Sequence, residues 1–279
     1  MPIHDQGYRR YGGRRIPHGG RWWVIARAGI LERLRQRRLL ALLVFAWLPF
    51  LVRAVQMYVA TNFQQASFLA PTADTFREFL NQQGFFIFFV TIFIGSGLLA
   101  DDRRANALQI YLSKPVTRIE YVTGKLVTLV LFLTAVTWVP GLLLLLLQLM
   151  FTGSTAFVRA HVFLFPAITV YAAAEVFASA FAMLALSSLS NNRRFVAVMY
   201  AGIVFFTEAM YQALRAITGS GAWAWISPQT ALDILGGAVF RAQERPPMPP
   251  AAAVAAVIGL IVVSIVILDR RVRGVEVVT

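Results

Sequence analysis

The sequence predicts an all-α integral membrane protein with six transmembrane helices, and three observations carry that prediction. Of the 279 residues, 58% are hydrophobic and only 14% charged, and the mean hydropathy is +0.65, far too apolar for a soluble domain of this length. The apolar residues gather into six runs, most of them long enough to cross a hydrocarbon core of ~30 Å at ~1.5 Å per helical residue. The basic residues gather beside those runs, mostly on alternate connections, as membrane orientation requires. The formal charge of +13 therefore reads as attraction to a membrane surface. Nucleic acid is not an expected partner, because the cations form no separate basic domain. The absence of cysteine excludes disulfides, thiolate metal sites and cysteine nucleophiles. His4, His18 and His161 are scattered without metal-ligand spacing and read as solvated or interfacial, so no metal is expected.

In chain order, residues 1–20 are rich in glycine and arginine, too polar to form a core, and are predicted to be a disordered basic tail retained in the mature chain. Residues 21–38 place Trp22, Trp23, Ile25, Ile30 and Leu31 against Arg27, Arg33, Arg35, Arg37 and Arg38, the pattern of an amphipathic helix lying among lipid headgroups. The six-span domain is expected over 39–268. Its first span is 39–58, and a polar loop over 59–83 leads to a short second span at 85–100. The third span, 126–151, contains Pro140 and Gly141 and is expected to bend there, since proline lacks a backbone donor and clashes with the preceding turn. The fourth, 162–189, carries a series of alanines and serines that permit close helix approach. A basic turn at Asn191 to Arg194 leads to the fifth span, 195–214, and the sixth is 251–268. Residues 269–279 form a tail.

Between the last two spans, 215–250 is semi-apolar around Trp223 to Phe240 and ends in a proline-rich stretch. Charge distribution argues against a seventh span there. With six spans, twenty of the 26 Lys and Arg fall on one side and five, Arg77, Arg159, Arg215, Arg241 and Arg245, on the other, while Arg53 lies inside a span. The positive-inside rule then puts both termini in the cytoplasm. Residues 215–250 become an outer helical or re-entrant segment anchored by tryptophans.

The stretch from Leu98 to Lys125 organises the chain. Asp101 and Asp102 suit the start of a helix, where free N–H groups and the dipole favour carboxylates. Leu108, Tyr111 and Leu112 follow at helical spacing with polar Arg103, Arg104, Asn106 and Gln109 between, and Pro115 ends the helix near Ser113. Thr117-x-x-Glu120 is a capping box that starts the next helix. This order of features, an acidic pair closing a span, a short helix ending LSKPV, then TRIEYVTGK entering the next span, resembles the type 2 ABC exporter permeases. The resemblance implies that about 102–113 is a cytoplasmic coupling helix docked on a separate ATP-binding subunit. It places Asp101, Asp102, Arg103, Arg104, Leu108, Tyr111, Leu112, Lys114 and Arg118 on or beside the docking surface. It also implies an interfacial element before the first span, short outer helices before the last, export, and pairing with a second or related permease in the plasma membrane.

No Walker pattern, G-x-S-x-G, H-E-x-x-H or paired-carboxylate motif occurs. The chain is therefore expected to be neither enzyme nor nucleotide binder, with ATP and magnesium held by the partner. Arg53, Glu175 and Glu208 are ionisable residues inside spans, each costing ~2.5–3.5 kcal/mol unless paired or hydrated. They fall at similar depth, so Arg53 is expected to pair with Glu208 or Glu175, within one subunit or across a dimer. Two other readings compete with the permease: a proton-coupled secondary transporter using Glu175 and Glu208, and a non-transporting membrane scaffold.

Overall fold

The computed structural model describes residues 20–63, 65, 70–106, 116–152, 162–243 and 246–272, and among them there are helices and turns but no strand. Six helical stretches are long and apolar enough to cross a membrane: Arg37–Asn62, Ala73–Arg104, Arg118–Phe151, Leu164–Leu189, Arg193–Thr218 and Pro250–Arg271. The all-α, six-span architecture is thus the observed one. Within it the helices are α1 (Arg21–Leu34), α2 (Arg37–Ala46), α3 (Leu48–Asn62), α4 (Ala73–Val90), α5 (Ala100–Arg104), α6 (Arg118–Val136), α7 (Trp138–Thr152), α8 (Leu164–Leu189), α9 (Arg193–Thr218), α10 (Pro228–Val239) and α11 (Pro250–Arg271).

Two of the long stretches are broken where proline demands it. Pro140 cannot donate to the Val136 carbonyl, and α6 stops at Val136 while α7 begins at Trp138. At the break the Thr137 amide and hydroxyl both donate to the Leu133 carbonyl, at 3.1 and 2.7 Å. The same logic, not applied to Pro49 in the sequence reading, separates α2 from α3 at Trp47, with Pro49 in the first turn of α3.

The second span corrects the sequence reading most. Residues 73–83, expected to be loop, are the first turns of α4. Thr72 and Thr75 form a reciprocal capping box, and Phe76, Phe79, Leu80, Gln83, Phe86, Ile87 and Val90 make one buried stripe at helical spacing. Polar Arg77, Glu78 and Asn81 lie on other faces. At its far end α4 passes into a π-helical segment, Thr91–Gly95, then a turn, then α5.

The core is built on two spans. In the most apolar window of Ala73–Arg104 and of Leu164–Leu189, 67% and 56% of residues are buried, against 17% for Arg37–Asn62 and for Arg193–Thr218. The last two therefore present most of their apolar side chains outward. α8 runs through the centre, packing on α4, α6, α9, α10 and α11. α1 is a helix separate from the first span and packs along α6. Close approach is possible because Gly124 faces Ile25 and the Trp22 carbonyl, which a Cβ would meet at 2.8 Å. Beside it the Thr128 hydroxyl lies 3.3 Å from the Ala26 carbonyl oxygen and 3.0 Å from that of Gly124.

The segment 215–250 does contain helix: a 3-10 turn, Gly221–Ile226, and α10, capped by Ser227. α10 lies against α8 and α11. A polar chain ties it to α4, in which the Tyr171 hydroxyl donates to Asn81 Oδ1 at 2.6 Å and Asn81 Nδ2 donates to Asp233 Oδ1 at 2.9 Å.

Candidate functional site

Besides the Tyr171–Asn81–Asp233 chain, polar chemistry gathers at the hub around α5 at one end of the bundle and at a cavity halfway along the spans. At the hub, the carboxylates of Asp101 and Asp102 do not cap α5 as the sequence suggested. The amides of Leu99 and Ala100 donate to Ser187 Oγ of α8 at 3.1 and 3.0 Å, and that hydroxyl donates to the Ser96 carbonyl at 3.0 Å. The neighbouring helix supplies a better-placed oxygen, which releases Asp102 for another task. Its Oδ2 accepts from the Tyr121 hydroxyl at 2.6 Å and pairs with Lys125 Nζ at 2.6 Å. The ion pair is mostly shielded, with side-chain exposures of 19% and 14%. Asp101 packs against Gly97 near Arg33.

Arg103 turns inward as well, with Nε donating to Asn191 Oδ1 at 3.2 Å and Nη1 to the Ser188 carbonyl. The hub thus fastens α5 to α6 and α8. The expected continuous helix over 102–113 is not seen as such: α5 ends at Arg104, and Asn106 adopts a left-handed φ of 52°, which breaks helical continuity. Leu108, Tyr111, Leu112 and Lys114 lie outside the described residues. The Thr117 capping box is present in full, with the Thr117 amide donating to Glu120 Oε2 at 2.8 Å and the Glu120 amide to Thr117 Oγ1 at 3.2 Å. Arg104, Arg118 and Ile119 are exposed beside it, Ile119 at 78%.

The three in-span ionisable residues separate. Within the chain the expected pairing of Arg53 with Glu175 or Glu208 is not made: Arg53 Nη2 bonds Glu78 Oε2 at 3.1 Å and Nη1 bonds Gln56 Oε1 at 3.1 Å. The physical reason is that α4 begins earlier than the sequence reading allowed, and so carries Glu78 alongside α3. Glu175 and Glu208, in contrast, do come together. They lie ~21 Å from Leu189 and ~22 Å from Arg193 along their helices at ~1.5 Å per residue, and both line a cavity of about 270 Å³ between α4, α8, α9 and α10.

Their surroundings differ. Glu208 Oε2 accepts from the hydroxyls of Ser227 at 2.6 Å and Thr230 at 2.9 Å, and Oε1 accepts from Gln212 Nε2 at 2.6 Å. It faces the N-terminus of α10, whose dipole also favours a carboxylate. Glu175 is only 2% exposed, and its Oε2 has no hydrogen-bond partner among the described residues. Its Oε1 lies where a Cβ on Gly84 would come within 2.8 Å, so glycine is what lets α4 pass this carboxyl. Phe88, stacked with Tyr200 at 5.8 Å and edge-on to Phe205 at 5.4 Å, forms an aromatic wall. A second cavity of about 210 Å³ shares Ser179, Tyr200, Val204, Gln229 and Leu232 with the first.

The sequence reading missed Ser187, Lys125, Tyr121 and Gln229 as members of these sites. Lys125, at the mouth of an apolar run, carried a signal, since a cation there requires a counter-charge. Ser187 and Gln229 carried none, because Ser187 acts on amides distant in sequence and Gln229 reaches the cavity only through the fold-back of α10.

No curated protein matches this chain. Residues 23–268 match the family model described as ABC-2 family transporter protein. That match takes in five of the apolar stretches whole, the sixth up to Leu268, the α5 hub and the cavity. The chain belongs to the ABC-2 transporter family, as a multi-pass transmembrane permease.

Proposed function

We propose that this permease serves an ATP-driven exporter, with ATP and magnesium held by a separate ABC ATP-binding subunit that docks beside α5. The α5 hub is the observation that carries this reading. Asp102 links α5 to α6 through Lys125 and Tyr121, while Ser187 and Arg103 link it to α8. A push on α5 is therefore shared by α6 and by the central helix α8, and α8 carries Glu175 at mid-span. Outward-facing Arg104, Arg118 and Ile119 form the described part of the docking surface, to which the family resemblance assigns Leu108, Tyr111, Leu112 and Lys114 as well. Rigid helices would convert ATPase closure into movement at a path between permeases, two copies or this chain with a related one.

The membrane is the plasma membrane, and the α5 end is its cytoplasmic side, in keeping with the excess of Lys and Arg in the connections there. Residues 21–38 then lie along the inner surface, with Trp22 and Trp23 at headgroup level, and 215–250 enters from the outer side, with the N-terminus of α10 reaching the mid-span cavity.

The test is co-purification from native membranes in mild detergent. An ATPase bearing Walker motifs should accompany the intact chain and be lost from the doubly substituted R104E/R118E variant. Arg103 and Asp102 are unsuitable for this test because they hold the fold. Absence of any such ATPase, or its undiminished recovery with R104E/R118E, overturns the proposal.

A further inference from the structure

Glu175 is a carboxyl group that the chain itself does not use. It is 2% exposed, its Oε2 is unpartnered among the described residues, and it lines the mid-span cavity. An in-span acid without a partner is unfavourable, and its retention points to a ligand or a pathway. The cavity narrows the choice. Its second carboxylate, Glu208, already has three donors and adds negative field without competing for the ligand, so an anion is disfavoured. A neutral donor would satisfy the Glu175 oxygen but leave the negative field of the two carboxylates uncompensated, which a cation alone offsets.

An inorganic cation needs six or more oxygens or a cluster of ligating side chains, and no group of three His, Cys, Asp or Glu converges among the described residues. The remaining wall is aromatic and aliphatic, with Phe88 set between Tyr200 and Phe205, the surface that cation–π attraction favours. The cavity of about 270 Å³, continued by one of about 210 Å³, approaches the size of sites for drug-sized ligands, ~300–1,000 Å³. Its rim holds Phe85, Phe89 and Phe205, exposed by 60%, 41% and 65%, so the cavity opens on the lateral surface of the spans.

We propose that this cavity binds a hydrophobic organic cation, with the Glu175 carboxylate as counter-charge and the Phe88 and Phe205 rings as its apolar contacts, and that such cations are the cargo. The cargo assignment rests on the exporter reading above; the binding site does not.

Equilibrium binding of tritiated tetraphenylphosphonium to the full chain in nanodiscs, with any ATPase that co-purifies, tests this directly. Saturable binding is expected, with triphenylphosphine oxide, similar in shape but uncharged, failing to compete. E175Q should weaken binding by roughly tenfold or more, the scale of one buried charge contact, with an unchanged gel-filtration profile. F205A, which trims an exposed ring, should weaken it by about threefold.

Unsaturable binding, equal competition by the neutral analogue, or unchanged affinity in E175Q overturns the site. So does disulfide crosslinking of Phe89→Cys between two copies that proceeds equally with saturating cation, since a second copy would then fill the rim; the chain has no native cysteine to confuse that readout. Binding is read without ATP, so a chain that binds the cation but recovers no ATPase breaks the exporter reading alone. A chain that keeps its ATPase but binds no cation breaks this inference alone.

Discussion

The α5 hub and the mid-span cavity use the same kinds of side chain to opposite ends. At the hub, Asp102, Lys125, Tyr121, Ser187 and Arg103 are joined by direct bonds across three helices. At the cavity, Glu208 is held as firmly, yet Glu175 at the same depth is left with an unpartnered oxygen beside empty space. A fully satisfied network fixes geometry, because any displacement breaks several bonds at once. A half-satisfied one holds a group in reserve for something that arrives later. The difference therefore separates a part suited to transmitting motion from a part suited to receiving a ligand, and substitutions should respond accordingly.

The largest effect is expected at Lys125. K125M keeps the length of the side chain but strands the Asp102 carboxylate in a shielded position, which should cost about 3 kcal/mol of stability. Tryptophan-fluorescence unfolding in detergent would show it, and a variant as stable as the parent would mean the hub is not a rigid joint. E208M comes next. It removes the acceptor for Ser227, Thr230 and Gln212 and should loosen α10 from α9 at a cost of about 2 kcal/mol, moderated by partial exposure of the site. Protease sensitivity of 215–250 would report this locally. S187A should follow at about 1–2 kcal/mol, since the amides of Leu99 and Ala100 at the start of α5 lose their acceptor. Amide exchange at Leu99 and Ala100 would rise with it, whereas unchanged protection there would show that water replaces the hydroxyl without penalty.

How far these regions were legible in the sequence follows the range of the interactions. The Thr117–Glu120 box and the break before Pro140 rest on residues within four positions of one another, and local chemistry dictates both. The six spans follow from bulk hydropathy. What escaped is what depends on distant partners. Ser187 caps a helix that lies 87 residues away in sequence, so no local pattern marks it. Asp101 and Asp102 had the right chemistry for a cap and lost the position to that competitor. The first turns of α4 escaped for a different reason: Pro71, Asp74, Arg77 and Glu78 made the stretch look like loop, while the buried stripe of Phe76, Phe79 and Leu80 was already present at helical spacing. The π-helical segment at Thr91–Gly95 has no sequence signal that we recognise. At the cavity, the equal depth of Glu175 and Glu208 was legible from residue counting, but their unequal satisfaction depends on α10 folding back, which only the tertiary arrangement reveals.

The smallest stability change is expected where the functional change should be greatest. E175Q breaks no bond at Oε2, keeps the shape of the side chain and removes an uncompensated in-span charge, so the unfolding free energy should not fall. E175M goes further by replacing an unpartnered polar group with an apolar one of similar length, and should stabilise the chain by about 1 kcal/mol. The same pair of substitutions at Glu208 should both destabilise it, because the three donors there lose an anionic acceptor in each case. Measuring all four variants in one detergent settles the comparison without reference to cargo. If E175Q instead costs as much as E208Q, then Glu175 is a packing element with partners formed only in the assembled transporter, and the contrast between a held glutamate and a reserved one disappears.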